Sequence, residues 1–260
     1  MVSMVEKSSE SRTYWNIIWK RHNNMFQDKP AISISPCINE RFLRLLCSSL
    51  EKGAKVLEIG VGGPSDYLIF MTTKGFDTHG IDFSKVGLRS FENRARKCDN
   101  APNLVLCDAK RLPFNDDVFD LVYSGGLLEH IPDDYFTRGD SACLQEHIRV
   151  AKPGGGIVIT LPNFLAIHMY FYINILHLRE GIKEQERHYT FFQVKKMMQR
   201  KGLRNITTLG IGIVPPFESL GMPGRIVSSF LQKFSDKLET KDRFLSKCRA
   251  WFIAAKGIKR

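Results

Sequence analysis

The segment VLEIGVGGP, Val56 to Pro64, changes character halfway along. Val56, Leu57 and Ile59 are β-forming apolar residues, the pattern of a strand buried on both faces of a parallel sheet. Gly60, Gly62 and Gly63 then permit a tight turn and a close backbone approach to a ligand. Pro64 suits the first turn of a helix, where an absent N–H costs nothing. Strand, glycine turn and helix N-terminus in that order make a βα unit able to cradle a cofactor.

The turn departs from a dinucleotide fingerprint, because Ser65 stands where the last glycine belongs. Beyond it, GIDFS (Gly80 to Ser84) places Asp82 at the end of a second strand, where a carboxylate meets a ribose diol. A third strand, LVLCD, ends in Asp108, and a fourth, FDLVYSGG, carries Ser124 and Gly125 at its end. On these ordered motifs the chain resembles the class I S-adenosylmethionine-dependent methyltransferases, specifically the type-11 methyltransferase domain, from roughly Asn39 to Leu203.

The resemblance implies an α/β, Rossmann-like class I methyltransferase fold: a mostly parallel seven-stranded sheet, helices on both faces and an antiparallel last strand. It implies S-adenosyl-L-methionine as cofactor. Gly60, Gly62 and Gly63 match the backbone platform under its amino-acid end, with Glu58 in the polar network there or as a structural strand-end carboxylate. Asp82 matches the ribose ligand, and Phe83 either stacks beside the adenine or belongs to the core. Asp108, followed by Ala109, matches the adenine-reading position, and Ser124, Gly125 and Leu127 lie under the methionine moiety.

On the acceptor side, Glu129 and His130 in LLEHIPD match the family's ending after strand four. His130 is either a base or a histidine satisfied by backbone. His188 and Tyr189 precede the Thr190 helix start, where they either touch the acceptor or fasten the helix. A methyl transfer needs donor and acceptor held in line, and a base only if the acceptor arrives protonated.

The 260 residues, 43% hydrophobic and 25% charged, have the composition of a soluble globule with a sizeable core. No basic-then-apolar leader opens the chain, and the most apolar run, Phe164 to Leu178, is short and broken by His168, Asn174 and His177. Six scattered cysteines without CxxC spacing read as thiols of a reducing, cytoplasmic compartment, and no metal site is expected. The net charge is +11, with ten Lys/Arg between Arg225 and Arg260. Such a tail suits nucleic acid, an anionic membrane or an acidic substrate, or is a solvated surface.

Residues 1–38 read as an N-terminal cap helix and linker, with Trp15, Ile18, Trp19 and His22 on one helical face. That helix is either a lid over the cofactor cleft or a core-docked element. Residues 39–260 read as one domain of alternating strands and helices, hence a parallel sheet with right-handed crossovers. The fourth crossover helix is expected over Cys143 to Ala151, then a turn at Pro153–Gly156 and a fifth strand, Ile157 to Leu161. Thr190 and Gln193 form a capping-box pattern for a helix through Arg200, and the last strand is expected over Cys248 to Lys256.

Two apolar insertions, 163–189 and 215–247, interrupt the alternation. They point to a small hydrophobic acceptor, with peripheral membrane contact, a core extension or a homodimer interface as their alternative uses. No Asn/Asp-Pro-Pro-Tyr/Phe or Pro-Cys follows strand four, and VPPF (Val214 to Phe217) comes after strand six. A nucleic-acid substrate is therefore not expected. The rivals are an RNA methyltransferase using the basic tail, a non-catalytic cofactor-binding module and a nicotinamide oxidoreductase, against which Ser65 stands.

Overall fold

Val56, Leu57 and Ile59 are fully buried, and the strand they form, β1 (Lys55–Ile59), lies inside a seven-stranded sheet. The structure is a computed structural model that describes residues 11–20, 40–48, 50–62, 65–96, 101–166, 186–212 and 250–260. Gly63, Pro64, residues 167–185 and the whole 215–247 insertion lie outside the described residues.

Residues 11–20 form α1, followed by α2 (Glu40–Cys47), β1 and α3 (Asp66–Thr73). Next come β2 (Asp77–Asp82), α4 (Lys85–Ala95), β3 (Asn103–Leu106) and β4 (Phe119–Gly125). After α5 (Gly139–Val150) come β5 (Ala151–Pro162), α6 (Phe191–Arg200), β6 (Arg204–Ile211) and β7 (Phe252–Ile258). The strand order is β3-β2-β1-β4-β5-β7-β6. The first five strands pair in parallel, and β7 runs antiparallel to both β5 and β6.

Alternation along β1 divides the core. Val56 packs with Phe42, Leu68 and Phe91 from α2, α3 and α4, whereas Leu57 and Ile59 pack with Leu144, Val194 and Met198 from α5 and α6. Helices therefore cover both faces. The chain leaves β1 toward β2 on one side and resumes at β4 on the other, which opens a crevice at the carboxyl ends of β1 and β4. Lys256, buried within β7, donates to Leu45 O (2.9 Å) and Ser48 Oγ (3.0 Å), joining the end of α2 to the sheet.

The last strand runs over Phe252–Ile258 instead of Cys248 to Lys256, because its ladder with β5 pairs Phe252 with Pro162 and Ile258 with Gly156. Two further expectations need correction. β5 already starts at Ala151: Phe119 pairs with Ala151 and Leu121 with Gly156, so the glycine-rich residues bulge from a continuing ladder instead of preceding it. Gly154, at φ 79°, makes that bulge possible. Second, α5 starts at Gly139 instead of Cys143, because Asp133 Oδ1 accepts from Gly139 N–H (2.7 Å). A Cβ there would sit 2.3 Å from Pro132 O, so the preceding loop packs directly on the helix start.

The predicted capping box at α6 is present: Thr190 Oγ1 accepts from Gln193 N–H at 3.2 Å, and Gln193 Oε1 accepts from Thr190 N–H at 2.8 Å. Among the described residues no helix is long and apolar enough to cross a membrane. Thr190→Ala is expected to lower stability by about 1 kcal/mol, read from the midpoint of urea unfolding, with the m-value unchanged.

Candidate active site

The turn after β1 is built on backbone strain that glycine absorbs: φ is 82° at Gly60 and 41° at Gly62. The N–H groups of Gly60 and Val61 both donate to Ile81 O, at 2.8 and 3.0 Å, which ties the turn to β2. Asp82, 5% exposed, completes the joint. Its Oδ2 accepts from Gly62 N–H (2.8 Å) and its Oδ1 from Ser84 N–H (2.7 Å). Burial pushes the Asp82 carboxyl up to about 6, against the lowering effect of backbone N–H groups of Ser84, Gly62 and Phe83.

Glu58 is buried beside the same turn. Its Oε2 accepts from Tyr123 OH (2.7 Å) and from Ser65 Oγ. Burial pushes its carboxyl up to about 7, with Asp66 and Asp82 adding repulsion and the two hydroxyls opposing. Ser65, the residue that breaks the dinucleotide fingerprint, thus has a use: it holds Glu58.

Asp108 follows β3, which is drawn in by a bond from Cys107 N–H to Asp82 O (3.0 Å). Its Oδ1 accepts from Lys110 N–H (2.8 Å). The loop beyond is gripped from α5: Arg149 donates to Leu112 O (3.0 Å), Phe114 O (2.8 Å) and Glu146, and Glu146 accepts from Leu112 N–H (2.7 Å).

At the end of β4, Gly126 N–H donates to Thr160 Oγ1 (2.9 Å), which sets the turn carrying Gly125 and Leu127. Ser124 is fully buried and its hydroxyl faces α5, 3.0 Å from His147 Nε2. His147 Nδ1 lies 2.8 Å from Cys143 O, an acceptor only, so Nδ1 carries the proton and Nε2 accepts from Ser124. Burial pushes His147 down to about 4 and keeps it neutral.

A cavity of about 320 Å³ gathers most of the residues singled out from sequence: Glu58, Gly60, Gly62, Asp82, Phe83, Asp108, Ala109, Gly125, Leu127 and His130. Gly63 lies outside the described residues, and Ser124 sits behind the cavity wall. Helix α1 supplies the facing side with Trp15 and Trp19, stacked at 5.6 Å between ring centroids. Trp15 meets the His130 ring edge-on at 4.9 Å. Trp19 lies so close to the glycine turn that a Cβ on Gly62 would come within 2.3 Å of its indole. Asn16 Oδ1 accepts from Ser84 Oγ (2.7 Å) and fixes α1 against the start of α4.

His188 and Tyr189 border a neighbouring concavity instead. Tyr189 OH donates to Asp140 Oδ2 (2.7 Å), burial pushes its hydroxyl pKa up, and burial pushes His188 down. Arg187 connects the two hollows through bonds to Ile131 O (2.7 Å) and Asp133 Oδ1 (2.9 Å). Sequence reading did not single out Ser65 or Tyr123 as the partners of Glu58. It also missed the Lys110–Asp134 pair (2.9 Å), which joins two walls of the cavity. The IPDD run after His130 was the available signal for the second wall.

The Methyltransferase domain family matches residues 57–159. Demethylmenaquinone methyltransferase of Bacillus pumilus is 30% identical over 65% of this chain and 72% of its own length. Tocopherol O-methyltransferase of Arabidopsis thaliana is 28% identical over 60% and 48% respectively. The chain belongs to the class I S-adenosylmethionine-dependent methyltransferases.

In fold, this methyltransferase is similar to an S-adenosylmethionine-dependent methyltransferase of Thermotoga maritima (TM-score 0.62, 14% identity, 95% of this chain and 99% of that one). It is also similar to phosphoethanolamine N-methyltransferase 2 of Haemonchus contortus, solved with S-adenosylmethionine (TM-score 0.57, 20% identity, 85% and 51%). The residues present suit that cofactor. The buried Glu58 and Asp82 carboxyl groups line the cavity as partners for hydroxyl and ammonium groups, beside glycines that bring no Cβ of their own.

Between the ordinary carboxyl range and about 6 to 7, folded Glu58 and Asp82 hold protons that the unfolded chain has released. Their folded pKa values are raised, so their contribution to stability falls as pH rises through about 6 to 7. His147 acts oppositely, between about 4 and its ordinary value. The expected signature is therefore a difference: relative to wild type, Glu58→Gln gains stability between pH 5 and 8 in urea unfolding, on the order of the raised carboxyl's own titration.

Proposed function

We propose that the enzyme transfers a methyl group from S-adenosylmethionine to a small, apolar acceptor in the cytosol. One observation carries this reading: the cavity beyond the glycine turn is walled by Trp15, Trp19, Leu127, Ile131 and Pro132, with His130 among them. An apolar wall with placed polar groups beside it favours a hydrophobic small molecule. The names of the relatives, which concern a menaquinone precursor and tocopherol, support the same substrate character.

The cofactor supplies an electrophilic sulfonium methyl. In this reading Asp82 accepts from the ribose hydroxyls through its remaining lone pairs, and Asp108 orients the adenine with Phe83 and Ala109 beside it. Gly60, Gly62 and Gly63 let the amino-acid end approach, with Glu58 as its carboxylate neighbour. Gly125 and Leu127 line the cavity at the end of β4 and would border the methionine moiety, with Ser124, bonded to His147 behind the wall, positioning them. Holding donor and acceptor in line accounts for about 7–11 kcal/mol of barrier lowering in well-oriented systems. His130 takes the proton of an acceptor that arrives as a phenol or enol, its ring held edge-on by Trp15. His188 and Tyr189 act from the next hollow, through Arg187 and the Ile131–Asp133 wall.

The test is turnover with S-adenosylmethionine and a panel of short-chain demethylated naphthoquinols and prenylated phenols. Product with at least one of them is expected; methylation of RNA alone would overturn the reading. Asp82→Ala should weaken S-adenosylhomocysteine in calorimetric titration by about 1.5–3 kcal/mol for each charge-assisted bond lost. His130→Ala should lower kcat about 10²–10⁴-fold while leaving that binding intact.

A further inference from the structure

Four aromatic side chains stand exposed among the described residues: Phe136 (95%), Tyr135 (80%), Phe192 (72%) and Phe164 (56%). They lie on segments that hydrogen bonds join through residues 187–189. Tyr135 and Phe136, with ring centroids 5.5 Å apart, occupy the loop whose Ile131–Asp134 part walls the active-site cavity. Phe192 lies in the first turn of α6, and Phe164 N–H donates to Tyr189 O (2.8 Å) at its approach. The 131–138 loop and the 186–190 approach are fastened together by Arg187, through Ile131 O and Asp133 Oδ1.

Between these segments lies the second concavity, and its chemistry is one-sided. Arg138, Arg187, Lys196, Arg200 and Lys201 line it against a single carboxylate, Asp140. Lys196 Nζ also stands 5.7 Å over the Phe192 ring, so cation and exposed aromatic share one surface. Phe192 thus stands beside the basic hollow, and Tyr135 and Phe136 belong to the loop that walls the apolar cavity.

We propose that this face docks the enzyme on an anionic lipid bilayer. Aromatic rings favour the headgroup level of a membrane, and cations near an anionic surface each strengthen binding about fivefold. The proposal rests on the reading of an apolar acceptor, to which it adds the source: a lipid-borne molecule that passes from the bilayer along the 131–138 loop into the cavity. Charge complementarity selects the partner. Arg138 and Arg187 are already paired with Asp140 and Asp133, so the attraction comes from Lys196, Arg200 and Lys201.

The test is co-sedimentation of the enzyme with phosphatidylcholine vesicles, with and without phosphatidylglycerol, at low and high salt. Binding to the phosphatidylglycerol vesicles that weakens with salt is expected. Tyr135→Ser with Phe136→Ser should abolish it, and Lys196→Ala with Arg200→Ala should weaken it about twenty-five-fold. S-adenosylhomocysteine binding should be unchanged in both variants, which shows that they fold. Equal binding to neutral vesicles overturns the proposal, as does binding that both variants retain. Dimerisation relieved by Phe136→Ser without vesicle binding overturns it in favour of a self-association face. No vesicle binding while methyl transfer persists defeats the docking face alone. Vesicle binding without turnover of any apolar acceptor upholds the face and counts against the proposed acceptor.

Discussion

A buried carboxylate is costly unless hydrogen bonds replace its water, and Asp82 meets that condition with main-chain N–H groups drawn from two separate turns. Gly62 belongs to the turn after β1 and Ser84 to the start of α4, so one side chain fastens both loops at the carboxyl edge of the sheet. The bonds from Gly60 and Val61 to Ile81 O remove the remaining freedom of the glycine turn. Cys107, donating to the Asp82 carbonyl, brings the end of β3 into the same register. The three strand ends that face the cavity are thus positioned against one another before any ligand is considered.

Much of the precision at this edge comes from behind it. Helix α5 turns its polar side chains toward the loops instead of toward water: Glu146 and Arg149 grip the segment after Asp108, and neutral His147 holds the Ser124 hydroxyl. Neither group reaches the cavity, yet each fixes a backbone segment that does. The opposite wall has a different origin. Helix α1 closes the cavity with two indoles, one packed on Gly62 and Gly87, where any side chain would collide with it, and one on His130.

The methyltransferase carries two unlike hollows that share a wall. One is apolar with buried carboxyl groups, the other basic, with the exposed Phe192 ring beside its Lys196. Arg187 links them, bonding the loop that walls the first while lining the second.

The motifs around Asp82 and Asp108 were legible in the chain because each depends on short-range chemistry. A buried strand, a glycine turn and a terminal carboxylate lie within a few residues of one another, and the capping box at Thr190 is likewise local. The start of α5 and the β5 bulge were not legible, since the first depends on Asp133 reaching Gly139 across a loop and the second on ladder register with β4. Nor could spacing reveal that Ser124 turns to His147, or that Tyr189 bonds Asp140 across a separation of 49 residues. The sequence by itself determined the fold class, the order of the strands along the chain and the residues at the carboxyl edge, because periodicity and turn chemistry are local properties. Only the tertiary structure decided which side chains share a cavity and which stand behind its wall or in the next hollow. That choice is made by hydrogen bonds between elements far apart in the chain.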